Sequence, residues 1–307
     1  MIQAGIAQKE VHFFAPGLKR YETAEFFPAE PQAFIPISIT GAECALQCDH
    51  CRGKLLESMR TVRAKSELYE LCRGLASSGT KGILISGGAD ALGRVPLQRY
   101  ADEIGRIKEL GLKVLVHTGL VDEVLAQALA EAQVDGAMLD IIGAEETIKQ
   151  VYHLQASLAD YEASLANLGR HGVPAMPHVV VGLHYGRILG EEQALRMVAR
   201  YPLAALVLVV LNPLVGTPME GVRPPGVASI GRLFMLARQL FPQTPVMLGC
   251  ARPAGERKRA IERLAIGAGF DGVAYPSDEA VRYARRKGYV PRFHEQCCAI
   301  MPDGEER

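Results

Sequence analysis

The chain has 307 residues, 49% of them hydrophobic, and its 34 Lys+Arg are matched by 34 Asp+Glu. Balanced charge excludes the broad basic field on which nucleic-acid binding depends, and this length and apolar content suit one barrel-sized domain. The longest uninterrupted apolar run, 203–211, is far short of the ~20 residues that span a bilayer. The N-terminus also lacks a basic, then apolar, signal pattern, so a cytoplasmic protein is expected, with no membrane partner. The seven cysteines cluster at ligand-like spacings, which points to metal binding in a reducing setting and not to a disulfide framework.

In chain order, residues 1–32 read as an N-terminal extension packed on the main domain. Its aromatic pairs, Phe13-Phe14-Ala15-Pro16-Gly17 and Phe26-Phe27-Pro28, read as core filler, with lid elements as the alternative. β-Branched runs then alternate with amphipathic helical stretches. Strands are expected at 33–40, 82–86, 113–117, 136–141, 173–181, 204–211, 245–248 and 272–275. Helices are expected at 66–76, 97–110, 121–132, 159–170, 191–201, 228–240, 258–267 and 277–287. Eight such alternations predict an α/β fold, a closed or nearly closed (β/α)8 TIM-type barrel over 33–288, followed by a cysteine-bearing tail at 289–307. Chemistry in such barrels sits on the loops after the strand C-termini.

Directly after the first barrel strand stand Cys44, Cys48 and Cys51, spaced C-x3-C-x2-C. Three thiolates on one tight loop can hold three irons of a 4Fe-4S cluster and leave the fourth open to a small molecule. The same thiolates with His50 would make a Cys3His zinc set. Further along come Ser86-Gly87-Gly88-Ala89-Asp90 after the second strand, Val181-Gly182-Leu183 with Gly186 and Gly190-Glu191 after the fifth, and Asn212-Pro213-Leu214-Val215-Gly216-Thr217-Pro218 after the sixth. Any one of these Gly/Pro turns is weak evidence; their order after successive strands is what carries weight.

Together these segments, over roughly 33–276, resemble the radical S-adenosylmethionine (radical SAM) superfamily, and within it the biotin synthase and lipoyl synthase branch. The resemblance implies a catalytic cluster on Cys44, Cys48 and Cys51 that binds S-adenosyl-L-methionine and cleaves it to a 5'-deoxyadenosyl radical. It also implies cofactor contacts from Gly87, Gly88, Gly182 and Asn212, and from Asp140 at the end of the fourth strand. Family members usually carry Glu where Asp90 stands. His117, His153, His178 and His184 lie near the expected barrel mouth, where a lone histidine is more often a packing residue than a ligand.

The remaining cysteines narrow the resemblance. Cys72 sits in an apolar helical pattern and reads as core. Cys250 ends the seventh strand, and an extended tail climbing from Gly288 would bring Cys297 and Cys298 to it, where three thiolates could hold a second, auxiliary 4Fe-4S cluster. The alternative is a buried Cys250 and an incidental vicinal pair. Biotin synthases take auxiliary ligands from mid-barrel cysteines, and none lies here between Cys72 and Cys250. With 41–56, 116–120, 179–186 and Cys297-Cys298-Ala299, the chain resembles one subunit of the archaeal-type two-component lipoyl synthases. That implies a sulfurtransferase acting on an octanoylated lipoyl-carrier protein or octanoyl-lysyl peptide, with a second radical SAM subunit and an electron donor such as ferredoxin or flavodoxin. A biotin synthase-like or other radical SAM enzyme acting on a small substrate is the alternative.

Overall fold

The structure, a computed structural model, describes residues 9–16, 21, 23–26 and 32–301; Gly17, Phe27 and Pro28 of the two aromatic segments lie outside these. The strands are β1 (Glu10–Phe14), β2 (Phe34–Ser38), β3 (Arg60–Thr61), β4 (Gly82–Ser86), β5 (Lys113–His117), β6 (Gly136–Asp140), β7 (Ala175–Val181), β8 (Leu206–Val210), β9 (Val246–Leu248), β10 (Gly272–Ala274) and β11 (Val290–His294). All pair in parallel, in the order β11-β1-β10-β9-β8-β7-β6-β5-β4-β2-β3. The helices are α1 (Lys65–Ser77), α2 (Ala101–Lys108), α3 (Glu123–Glu131), α4 (Glu145–Gln150), α5 (Leu158–Arg170), α6 (Glu191–Val198), α7 (Val227–Leu240), α8 (Gly255–Ala268) and α9 (Asp278–Arg286). The expected α/β barrel is therefore present, as a nearly closed ladder whose two ends, β11 and β3, are not hydrogen-bonded to each other among the described residues.

The eight expected strands and eight expected helices are all found, most within two residues of their predicted ends. Local chemistry sets several helix starts: Asp122 accepts a 2.8 Å bond from Leu125 N, and Ser277 a 3.2 Å bond from Ala280 N, each satisfying an otherwise orphaned first-turn donor. Three strands and one helix were not expected. β3 is two residues long and α4 six, too short for a periodic signal. β1 is more instructive, because it inserts between β10 and β11, with Phe13 opposite both Val273 and Phe293. Phe13 and Phe14 are fully buried, which bears out core filler for the first aromatic pair, whereas Phe26 of the second is half-buried.

Alternation along the strands divides the core in two. One buried cluster fills the space between sheet and helices. The other lies inside the barrel and contains Phe14, Phe34, Leu115, Met138, Met176, Val207 and Met247, a methionine-rich floor. Successive residues of a strand face opposite ways, so the positions two residues on from Leu115, Met138 and Met176 are His117, Asp140 and His178, which stand above that floor. The interior thus carries an apolar layer below and a polar layer toward the strand C-termini. Among the described residues no helix is long and apolar enough to cross a membrane.

Candidate active site

The C-x3-C-x2-C loop joins β2 to β3, and because β3 pairs back onto β2, both ends of the loop are tied to the same strand. Between them the chain turns tightly: Gln47 and Arg52 adopt left-handed φ values of 48° and 50°, and Arg52 N and Cys51 N both donate to Cys48 O. Cys44 and Cys51 are partly exposed, Cys48 is buried, and all three are free thiols. Cys48 donates toward Cys51, which raises the Cys48 pKa and lowers that of Cys51, with burial adding to the first and the neighbouring His50 helping the second. Burial pushes the His50 pKa down, but its contact with Cys51, together with the Asp140 and Asp49 carboxylates, outweighs this and raises it.

Asp49, inside the loop, fastens it to the rest of the barrel mouth. It accepts bonds from His153 Nε2 at 2.9 Å, Tyr185 Oη at 2.5 Å and Arg52 at 3.2 Å. Burial alone would raise its pKa, but the Tyr185 and His153 bonds hold it below the usual carboxylate range. This clamp was not expected from the sequence, although a carboxylate beside a cysteine ligand is a visible signal. It gives His153, exposed and with φ 55°, a positioning role on the loop.

Gly88 meets the same loop from β4. A Cβ there would overlap Glu43 O and stand 2.6 Å from Cys44 Cα, so glycine is required for the β4 turn to press against the cysteine loop; Gly88 N donates to Thr40 Oγ1 at 2.7 Å. Gly87 packs on Thr40. Asp90 is exposed and turned away, its carboxylate accepting from Leu92 N and Arg94 N within its own turn. Gly182, at φ 83°, has no space for a Cβ against Pro225, and its N–H is held by Glu191 at 2.7 Å. Asn212 lies exposed two residues beyond β8.

Asp140 is the centre of the polar layer. Tyr152 Oη donates to it at 2.9 Å, and His117 Nε2 lies 3.9 Å away. Burial opposes its ionisation, yet His117, His178 and Tyr152 together keep its pKa below the usual value. Tyr152 also links this layer to the cysteine loop, since Cys48 Sγ lies 3.8 Å from its carbonyl oxygen. His184 is elsewhere: buried, 3.2 Å from Thr147 Oγ1 and 3.5 Å from Glu146, it braces α4.

The second set of cysteines does assemble. β11 carries the tail up beside β1, and Cys298, buried, makes sulfur contacts with both Cys250 and Cys297; these contacts, with burial, raise its pKa. None of the three is in a disulfide, and they adjoin the methionine-rich floor. The loop after Cys250 is held by Arg252, which bonds to Gly249 O at 2.7 Å, to Tyr275 O at 2.8 Å, to Ala274 O, and to the fully buried Glu262 at 2.7 Å. Cys72 is fully buried in the helix layer, where desolvation pushes its thiol up to about 12.

Among the described residues, no three His, Cys, Asp or Glu side chains surround a single point as one metal ion would require. In the β2–β3 loop the Cys48 thiol instead contacts that of Cys51, with Cys44 at the loop's other end. That suits a cluster, where each thiolate ligates a different iron, better than a Cys3His zinc site, whose donors share one centre. Residues 38–199 match the radical SAM superfamily, and the chain belongs to it. A 4Fe-4S cluster with S-adenosyl-L-methionine is the cofactor set of that superfamily, and Cys44, Cys48 and Cys51 fit it. Curated relatives are biotin synthases: that of Chromohalobacter salexigens is 24% identical over 266 residues, covering 82% of this chain and 69% of its own. The Halorhodospira halophila enzyme is 25% identical over 269 residues, covering 81% and 77%. Among solved structures, methylornithine synthase (PylB) superposes with a TM-score of 0.60 at 18% identity, covering 84% of this chain and 82% of that one. The FeFe-hydrogenase maturase HydG from Carboxydothermus hydrogenoformans gives 0.62 at 14%, covering 92% and 68%. These structures speak to the fold alone.

Proposed function

We propose that this radical SAM enzyme is biotin synthase-like and adds sulfur at an unactivated carbon of a substrate with an aliphatic segment. One observation carries the reading: two sets of three thiols, Cys44/Cys48/Cys51 and Cys250/Cys297/Cys298, both follow strand C-termini and open on the same end of an apolar-floored barrel. With its cofactors bound, the first set supplies one-electron chemistry able to draw a hydrogen atom from an aliphatic carbon. The chain's own residues do the rest. Asp49, with His153 and Tyr185, fixes the cysteine loop; Gly88 lets the β4 turn close on it; Met138, Met176 and Met247 give an aliphatic segment a dry surface. Cys250, Cys297 and Cys298 would hold the sulfur source, an auxiliary cluster.

A second reading, the lipoyl-type enzyme working on a protein-bound octanoyl chain with a partner radical SAM subunit, draws on one further observation. The inward positions of β4 to β7 at floor level are Leu84, Leu115, Met138 and Met176, so the second thiol set comes from the β9 end and the tail, not from mid-barrel. Anaerobic reconstitution followed by mass analysis with dethiobiotin, and with octanoyl-lysyl peptide in the presence and absence of a second subunit, tests both. Sulfur in dethiobiotin supports the first reading and sulfur in the peptide the second. 5'-Deoxyadenosine formed with no sulfur product from either would remove sulfur transfer.

A further inference from the structure

In the polar layer the geometry determines the hydrogen-bonding direction of His178. His178 Nδ1 lies 3.1 Å from Met176 O. A carbonyl oxygen only accepts, so Nδ1 carries the proton, and in the neutral ring Nε2 keeps its lone pair. Among the described residues Nε2 makes no hydrogen bond, while the ring stands beside His117, 5.8 Å between centroids, above Met176 and Met138. Burial, reinforced by His117, holds the His178 pKa down to about 4, so the ring stays neutral at ordinary pH. His178 is thus an acceptor without a donor, facing into the barrel two strands away from Cys250.

We propose that His178 is the specificity-determining residue of the substrate site: its Nε2 accepts from an N–H or O–H donor on the substrate, and the aliphatic body then lies across the methionine-rich floor toward Cys250 and Cys298. The substrate class that fits is an aliphatic chain carrying an amide or ureido N–H at one end. The orientation follows from the strand order, β7 then β8 then β9, with Val207 and Met247 continuing the floor between the acceptor and the thiols. This rests on the proposed function, in that it assigns the direction in which that substrate enters.

The test compares two probes that differ by one donor: an octanoyl-lysyl peptide and its ester counterpart, in which oxygen replaces the side-chain amide N–H. Binding to anaerobically reconstituted protein is measured by calorimetry, with dethiobiotin as a second N–H probe. The amide and dethiobiotin should bind about ten-fold more tightly than the ester, in keeping with one buried hydrogen bond. His178→Leu should abolish the preference and leave the ester affinity unchanged; His178→Gln, which keeps an acceptor, should retain most of it. Nitrogen NMR of histidine-labelled protein should show Nε2 unprotonated at neutral pH. A protonated Nε2, no preference for the donor-bearing probes, or a preference that survives His178→Leu overturns the proposal. Donor-dependent binding without any sulfur product would leave it standing and remove the sulfur-transfer reading instead.

Discussion

The two thiol sites are built by opposite means. The first lies on a single loop, eight residues from Cys44 to Cys51, and neighbours in sequence hold it: Cys48 O accepts two bonds from within the loop, Gln47 bonds to Cys44 O at 2.8 Å, and exposed His153 straps it down through buried Asp49. The second is assembled from a β9 turn and a tail, and it is held by buried charge, Arg252 against Glu262, with side-chain exposures of 2% and 0%. A local site tolerates loss of one strap because the loop still has its own bonds. A site assembled at long range over a buried ion pair does not, since removing Arg252 takes the closest charge partner from a desolvated carboxylate and three buried carbonyls lose their donor.

The largest expected effects separate the two sites chemically. Replacing Cys44, Cys48 and Cys51 with Ala should abolish 5'-deoxyadenosine formation outright. The Cys250/Cys297/Cys298 triple Ala variant should keep that activity and lose sulfur transfer, its iron content falling from about eight to about four per chain. An unchanged iron count in the second variant would break the comparison at its root. Next in size is Arg252→Met, which takes from buried Glu262 its closest charge partner, leaving Lys258 at 3.7 Å, and unpairs the carbonyls of Gly249, Ala274 and Tyr275; it should cost about 3–5 kcal/mol in a denaturant titration. His153→Ala, which removes one of three partners of Asp49 and leaves Tyr185 and Arg52 in place, should cost about 1 kcal/mol or less. Equal losses from these two would show that both sites depend alike on buried partners.

Gly88→Ala should fall between them, at about 1–3 kcal/mol, because the new methyl group must displace the cysteine loop. Slower cluster loading at Cys44 is the accompanying readout. The smallest effect concerns pH. His294, three residues before Cys297, bonds to His12 at 2.9 Å, and burial with His12 holds its pKa down to about 4, below the ordinary histidine value of about 6.5. The unfolded chain binds this proton first as pH falls, so stability is full above about 6.5 and declines toward about 4. The slope is at most about 1.4 kcal/mol per pH unit for this group. His294→Gln, which keeps a partner for His12 and does not titrate, should flatten the slope of thermal stability in that window.

How much could be read beforehand differs in the same way. The β2–β3 cysteine loop was legible because its three ligands fall within one turn-rich segment, and β4 and β5 were placed at their observed ends because apolar runs bounded by Gly or Lys are local signals. The meeting of Cys250 with Cys297 and Cys298 was anticipated from the reach of an extended tail. Its means, a tail strand pairing with an N-terminal strand, was not, because residues 10–14 carry the alternation of a strand but nothing that names their neighbours. Asp90 matched a motif position and is spent on its own turn, whereas Asp49, which matched none, fastens the loop.

The amino-acid sequence by itself determined the alternation of strands and helices, the apolar faces they bury and the spacing of the first thiol set, all properties of residues a few positions apart. Only the tertiary structure decided that His12 meets His294, 282 residues away, that Arg252 reaches Glu262, and that His178 turns an unpartnered nitrogen over the barrel floor. Such pairings are set by which surfaces close together when the sheet curls. Competing partners of the same chemistry are distinguishable only once burial makes an unmatched charge or hydrogen bond costly.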